Sequence, residues 1–564
     1  MSKKKLAKKA NRRFWRYAFV VVLLAVVIGL LFYKLVYMQK VEREKLKKEG
    51  DNRSKRVRLT HASRGMIFDR NAKPLAISTP VDSVWVDPFF ARFDDPGLKQ
   101  VMVLLKIPVA QQNRILARIR QGAGRSGFVY LKRQVSPELA RRIRALDVQG
   151  VNLDREFRRY YPDAAVTAQI VGFTDIDGKG REGIELEYDT ILTGKDGKST
   201  FHRDLKGGVA QKNREDMPVR HGQDIYLSID RNIQYLAYKY LKQGVVAYQA
   251  QAGSVVIMAA KSGEILAMAS YPSYNPNNLS QAKADQRRNR VLTDVYEPGS
   301  VIKPFAAIAA LKSGQYDVDS IVDTSPGYYR VGGRIVRDFR NYGEMDMRHI
   351  LMKSSNVGIS KMILSIDANM LPEVLHDFGF GRKTGIAFPG ERSGYLPSPR
   401  KWSAFPLATL SFGYGMNATA LQLASAYSAI ANHGKRMVPS LIKREKVSDG
   451  VQVIDSVIAD KLMDMLTSVV ESRGGTASKA KVKNYHIAGK TGTVRKAVAG
   501  GYATDHYMAT FIGIAPATDP KIVTVVVIDD PKGEAYGGGS AAAPIFAEMI
   551  SHILPAMGIL PDKT

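Results

Sequence analysis

The sequence predicts an α+β protein of two folded modules carried on one membrane helix, and three observations lead there. An uncharged apolar run follows a cluster of cations near the N-terminus. Short strand-like runs then alternate with amphipathic helical stretches up to about Arg220. Beyond that point strands come first, helices in the middle and strands last, the pattern of a sheet closed by the two ends of a module around a helical subdomain. At 564 residues the chain is too long for one core, and its 45% hydrophobic share suits globular packing.

The first sixteen residues hold eight cations (Lys3, Lys4, Lys5, Lys8, Lys9, Arg12, Arg13, Arg16) and no acid. Tyr17 to Tyr33 (YAFVVVLLAVVIGLLFY) is then almost wholly apolar. Seventeen helical residues span roughly 25 Å; Arg16 and Lys34 can snorkel, while Trp15, Tyr33 and Tyr37 sit at the interfaces. No small-x-small cleavage site precedes Met38, so residues 17–38 read as an uncleaved anchor rather than a signal peptide. A buried core helix is the alternative, but core helices rarely follow eight unopposed cations. The positive-inside rule puts residues 1–16 in the cytoplasm and everything after about residue 40 across the membrane.

The net charge of +30 calls for an acidic partner or surface. Zinc-ligand spacing, an RNA-binding aromatic signature and a Gly-rich phosphate loop are all missing, which argues against nucleic acid. The absence of cysteine excludes disulfides, metal thiolates and a Cys nucleophile. No metal or organic cofactor is suggested.

Residues 39–220 read as a charged helical stalk (Val41 to Asp51) and an irregular α+β pedestal. The pedestal has strand-like MIFD, SVWVD and GFVYL and basic helices over Val109–Gly122 and Pro137–Leu146. Its arginines, among them Arg114, Arg118, Arg141, Arg142, Arg144, Arg158 and Arg159, read as solvated faces and internal ion pairs. Residues 221–564 form the second module. A helix is expected over Arg231–Gln249, a hairpin over Gly253–Ala260 and Glu264–Ser270, helical segments through Leu311, Met347–Ile366 and Ala420–Ala431, strands at Tyr507–Ala515 and Ile522–Ile528, and a helix over Ala541–Ile553.

Chemistry concentrates in three places. Ser300 and Lys303 open an apolar helix, three residues apart on one face. A lysine there can serve as base to a serine hydroxyl if burial and other cations depress its pKa, and the N-terminal N–H groups can help hold an oxyanion. Alone this is weak, because Ser-x-x-Lys also begins at Ser2, Ser280, Ser398, Ser440 and Ser478. Downstream, Ser354-Ser355-Asn356 supplies a hydroxyl for proton relay and an amide for a peptide-like substrate, or else an ordinary helix N-cap. Further on, Lys490-Thr491-Gly492-Thr493 offers a cation, two hydroxyls and a bare backbone on an edge strand that can pair with an extended substrate. Similar triplets start at Lys261, Lys312 and Lys383, but only Lys490 follows the Ser-x-Asn and precedes the strand-like run at Tyr507. His486 and His506 flank that strand and read as structural.

The ordered set Ser-x-x-Lys, Ser-x-Asn, Lys-Thr-Gly resembles the signature of penicillin-binding proteins and class A β-lactamases. The likeness extends to RGMIFDR from Arg64, EGIE from Glu182, YPSYNPNN from Tyr271, Thr384-Gly385-Ile386 with Pro389-Gly390-Glu391, and SFGYGM from Ser411. All resemble the division-specific class B penicillin-binding proteins. The resemblance implies a penicillin-binding/serine β-lactamase-like transpeptidase domain, an antiparallel sheet with a helical subdomain.

It further implies that Ser300 attacks the D-Ala-D-Ala bond of a peptidoglycan stem peptide, that Lys303 is general base, and that Ser354 with Lys490 relays the proton. Asn356 would orient the peptide, Thr491 and Thr493 would bind its carboxylate beside Gly492, and the N–H groups of Ser300 and Thr493 would form the oxyanion hole. β-Lactam antibiotics would acylate the same serine. The implied partners are a lipid-linked glycan polymerase of the FtsW type and other division proteins, and the implied setting is the inner membrane with a periplasmic catalytic domain. The Ser354-Ser355-Asn356 form favours division over elongation. A carboxypeptidase or β-lactamase using water as acceptor, and a non-catalytic β-lactam sensor or scaffold, stay open.

Overall fold

Lysine, alanine and arginine are strong helix formers, and the basic tail and the apolar run join into one helix, α1 (Lys3–Lys40). The computed structural model describes residues 3–122, 127–203, 209–447, 449–498 and 500–563. They form two units, one drawn from residues up to Ala62 with Lys195–His221, the other from Ser63–Gly194 with the chain from Gly222 onward. In the first unit α1 leaves its apolar side chains uncovered, Leu31 at 65% exposure and none of its most apolar window buried. A surface of that kind needs hydrocarbon rather than water around it, so α1 fits a single-pass membrane anchor. A helix over Arg43–Ser54 follows, where the stalk was expected. Strands Lys55–Thr60, Gly197–Arg203 and Val209–Met217 make a three-stranded antiparallel sheet.

The second unit has two apolar cores. In the smaller, strand Pro74–Val86 pairs antiparallel with Val129–Val135 and Val151–Tyr160, and Val84, Leu98, Met102, Ile119 and Ile143 close up behind it. Helices Val109–Gln121 and Pro137–Arg144 bury Ile115, Ile119, Ala140 and Ile143. Their arginines 114, 118, 141, 142 and 144 lie exposed on the remaining faces, as the amphipathic pattern requires.

The larger core surrounds a five-stranded sheet of β1 (Ala252–Ala259), β2 (Ile265–Tyr271), β3 (Ala488–Val498), β4 (Gly501–Ala515) and β5 (Ile522–Asp529). The order is β2-β1-β5-β4-β3 and every neighbour is antiparallel, so strands from the two ends of the module zip together at the β1–β5 seam. β1 and β5 are apolar on both faces because both are covered. Helices α2 (Arg231–Ala247), α6 (Ala420–Ala431), α7 (Ser456–Glu471) and α8 (Ala543–Ala556) pack on the sheet, with α3 (Lys303–Lys312), α4 (Met347–Lys353) and α5 (Asn356–Ser365) in the helical part. All twelve residues of α6 are buried, which its alanine-rich, all-round apolar sequence permits.

Candidate active site

The nucleophile candidate stands in a tighter turn than the sequence suggests. Gly299–Ile302 is a single 3₁₀ turn and the α-helix begins only at Lys303, with Pro304 in its first turn. Proline brings no N–H and suits that position. Residues i and i+3 eclipse in a 3₁₀ turn, so Ser300 and Lys303 superpose, with Lys303 Nζ 3.1 Å from Ser300 Oγ. Two close approaches clamp the turn. Gly299 has φ +61°, and a Cβ there would lie 2.4 Å from Val494 Cγ2 of β3. A Cβ on Gly413 would lie 2.2 Å from the Gly299 carbonyl oxygen. Glycine at both places lets β3 and the Gly413 loop press on the nucleophile from either side.

The helical segment expected over Met347–Ile366 breaks in two at the serines. Ser354 caps α4 in the left-handed region at φ +59°, and Ser355 caps the N-terminus of α5 by accepting the Gly358 N–H at 2.9 Å. Adjacent serines thereby divide the work. Ser354 turns inward, where its Oγ accepts from Lys303 Nζ and Lys490 Nζ at 3.0 Å each, and its carbonyl accepts from Lys303 Nζ at 2.5 Å. Ser355 is the N-cap. The N-cap expected of the Ser-x-Asn is thus Ser355, while Ser354 is the hydroxyl placed between the two lysines.

Asp338 makes this break stable, and sequence reasoning missed it. Its Oδ2 accepts from Ser355 Oγ at 2.5 Å, and its Oδ1 from the N–H groups of Asn356 at 2.5 Å and Val357 at 3.0 Å. Asn356 Nδ2 donates to the carbonyl of Arg337 at 2.9 Å. A carboxylate on a helix N-terminus satisfies orphan donors and opposes the helix dipole. Nothing local marks Asp338, which arrives at the end of a small hairpin (Tyr328–Val331 with Arg334–Arg337).

Lys490 lies on β3, the edge strand of the sheet, and is fully buried, as is Lys303. Neither forms an ion pair among the described residues. Burial pulls Lys490 down from the ordinary lysine value to about 7. Burial also holds Lys303 well below that value, the neighbouring Lys490 charge adds to the depression, and Asp338 opposes it. Two ammonium groups sharing one hydroxyl in a buried site repel, which favours loss of a proton from the pair.

The rest of the Lys490 strand is built for close approach. A Cβ on Gly492 would lie 2.9 Å from the Pro298 carbonyl oxygen, so only glycine lets the strand run this near the nucleophile's turn. Thr491 Oγ1 donates to Thr476 Oγ1 at 3.3 Å, and Thr493 Oγ1 accepts from the Gly538 N–H at 2.9 Å. Glu297, just before the turn, was also missed: its Oε1 accepts from the Gly415 N–H at 2.9 Å and from Tyr502 Oη at 3.1 Å. His506 pairs with Asp530 at 2.9 Å, a structural contact as expected.

A hydroxyl next to a buried lysine held below its ordinary basicity, a second hydroxyl joined to two lysines, and an edge strand beside them have the make-up that general-base acyl transfer to serine requires. Comparison with known proteins identifies the family. Residues 253–551 match the penicillin binding protein transpeptidase domain, and residues 59–227 match the penicillin-binding protein dimerisation domain. A probable peptidoglycan D,D-transpeptidase PbpC of Pseudomonas aeruginosa is 40% identical over 98% of this chain and 97% of its own length. Peptidoglycan D,D-transpeptidase FtsI of Escherichia coli is 38% identical over 99% of this chain and 95% of its own. The crystal structure of penicillin binding protein 3 from Mycobacterium tuberculosis complexed with aztreonam superposes with a TM-score of 0.69 at 27% identity, covering 89% of this chain and 98% of that one. With family models spanning both modules and relatives matching end to end, the chain belongs to the class B penicillin-binding proteins, a dimerisation domain followed by a transpeptidase domain.

Proposed function

We propose that this protein is a serine D,D-transpeptidase that crosslinks peptidoglycan stem peptides at the division septum and is acylated by β-lactams. One observation carries the reading: Ser300, Lys303, Ser354 and Lys490 form a continuous hydrogen-bonded chain around two buried lysines with depressed pKa values. Ser300 Oγ attacks the carbonyl of the penultimate D-alanine while neutral Lys303 takes its proton. The proton passes through Ser354 Oγ and Lys490 to the leaving D-alanine amine, and an acceptor amine then resolves the acyl-enzyme. The N–H of Ser300, at the head of its turn, and that of Thr493, on the edge strand, hold the oxyanion; each such donor is worth about 10²–10³ in rate. Asn356 orients the peptide, and Thr491 and Thr493 flank its carboxylate beside Gly492.

The same reading divides the chain into a cytoplasmic tail (1–16), anchor (17–38), stalk and pedestal (39–220) and transpeptidase domain (221–564), the last in the periplasm. The cationic N-terminal part of α1 supports that orientation. Division rather than elongation is supported by the FtsI relative and by the Ser354-Ser355-Asn356 form. A lipid-linked glycan polymerase of the FtsW type is the partner that would supply uncrosslinked strands.

Intact mass of the full chain after incubation with benzylpenicillin tests the reading. A slowly lost single adduct, absent from Ser300→Ala, is expected. Rapid turnover would mean a β-lactamase, and no adduct on folded protein would remove Ser300 from the role.

A further inference from the structure

A trough runs away from the nucleophile along residues 383–417. It consists of two adjoining cavities that share Tyr395. One, of about 450 Å³, is lined by Lys401, Trp402, Tyr414 and Gly415. The other, of about 470 Å³, is lined by Val295, Lys383, Arg392 and Asn417.

Hydrogen bonds tie the trough to the segment that leads into the Ser300 turn. Tyr395 and Asn417 exchange N–H···O bonds of 2.9 Å, and Tyr296 and Ala418 exchange bonds of 3.2 and 3.0 Å. Gln422 of α6 donates to the carbonyls of Arg382 and Ser393 at 2.8 Å each. Tyr296 is followed by Glu297, which accepts the Gly415 N–H, and then by the Ser300 turn.

Its charge is one-sided. Lys383, Arg392 and Lys401 are exposed, and none forms an ion pair among the described residues. The carboxylate at the trough, Glu391, is taken up by the N–H and Oγ1 of Thr384 at 2.6 Å each. Three exposed cations against one buried carboxylate, interleaved with Tyr395, Trp402 and Tyr414, leave the lining net positive and fit an acidic ligand that also offers flat surfaces for stacking.

We infer that this trough binds the acidic stem peptide whose amine resolves the acyl-enzyme, together with the sugar that carries it. The inference rests on the transpeptidase reading above. The donor peptide pairs with β3 on one side of the Ser300 turn, which leaves the Gly413–Gly415 side for the acceptor. In the step served, the amine nitrogen bonds to the acyl carbon, the ester bond to Ser300 Oγ breaks, and one amine proton ends on that oxygen. The trough residues touch neither atom; they raise the local concentration of the amine and aim it.

The test uses the full chain in detergent, acylated by a D-alanyl thioester. Aminolysis is compared for D-alanine, for a disaccharide-peptide monomer with free carboxylates, and for the same monomer with its carboxylates amidated. The variant carries Lys383→Gln, Arg392→Gln and Lys401→Gln. Aminolysis by the free-acid monomer should fall at least tenfold in the variant, and in the wild type it should weaken with salt and on amidation. Acylation by benzylpenicillin and aminolysis by D-alanine should stay within twofold. Equal loss for monomer and D-alanine, no loss for either, or a wild type that prefers D-alanine would each overturn the trough. Should acylation fall in the triple variant, the three single variants read the same ratio. A wild type whose Ser300 is never acylated would instead sink the transpeptidase reading.

Discussion

Two pairs of cations lie inside the second unit, and they are treated in opposite ways. Arg64 and Arg159 close on Glu185, which is wholly buried, with Nε to carboxylate distances of 2.6 Å on each of its oxygens. Arg64 reaches Asp189 as well at 2.6 Å; although burial pushes that carboxyl up, the Gly180 N–H and Arg64 bring it below its ordinary value. Lys303 and Lys490 are as deeply buried but share only hydroxyl and carbonyl oxygens. Guanidinium stays charged at any working pH and must be given its counter-ions, whereas an amine can escape the burial penalty by losing a proton. The arginine cluster is therefore a joint, and the lysine pair is a store of basicity.

Breaking each cluster should give opposite symptoms. Lys303→Met removes the base and fills its place with an apolar chain, so benzylpenicillin acylation should fall by about 10²–10⁴ while the fold is undiminished or more stable, read by stopped-flow acylation and denaturant midpoints. Glu185→Ala strands Arg159 and leaves Arg64 with Asp189 alone, so stability should drop by about 3–5 kcal/mol while the acylation rate of the remaining folded protein holds. If both variants lose activity and stability together, the contrast between joint and base fails.

Asp338→Asn sharpens the comparison, since it keeps an acceptor on the α5 N-terminus but removes the one carboxylate that favours a proton on Lys303. Acylation should drop about tenfold from looser placement of Ser354, and the acid limb of its pH profile should move to lower pH. A profile that does not move would leave Asp338 a cap and nothing more.

The smallest effect is the pH dependence itself. The folded pKa of Lys490 lies below its unfolded value, so the native state binds fewer protons than the unfolded chain. Its share of stability accordingly rises with pH from about 7 toward the ordinary lysine value and is lost as pH falls through that window. The difference in thermal midpoint between wild type and Lys490→Met should change over that range, and acylation should decline below about pH 7. A flat difference would mean that Lys490 stays charged.

The sequence alone determined what local pattern can encode. The apolar run of α1 is readable from side-chain hydropathy, the β1–β2 hairpin from two apolar runs around a Lys-Ser-Gly turn, and the arginine faces of the pedestal helices from their 3.6-residue period. Ser300, Ser354 and Lys490 could be picked by the order of three motifs, each weak by itself. Tertiary structure decided the rest. Whether Ser300 begins an α-helix or stands in a 3₁₀ turn depends on Val494 and Gly413 pressing on Gly299, and where the Met347–Ile366 segment breaks depends on a carboxylate seventeen residues upstream of Ser355. Whether either lysine is basic depends on how much water the assembled core excludes. Such long-range effects leave no period in a sequence, because burial and charge coupling belong to positions in space that only the closed β1–β5 sheet and its helices bring together.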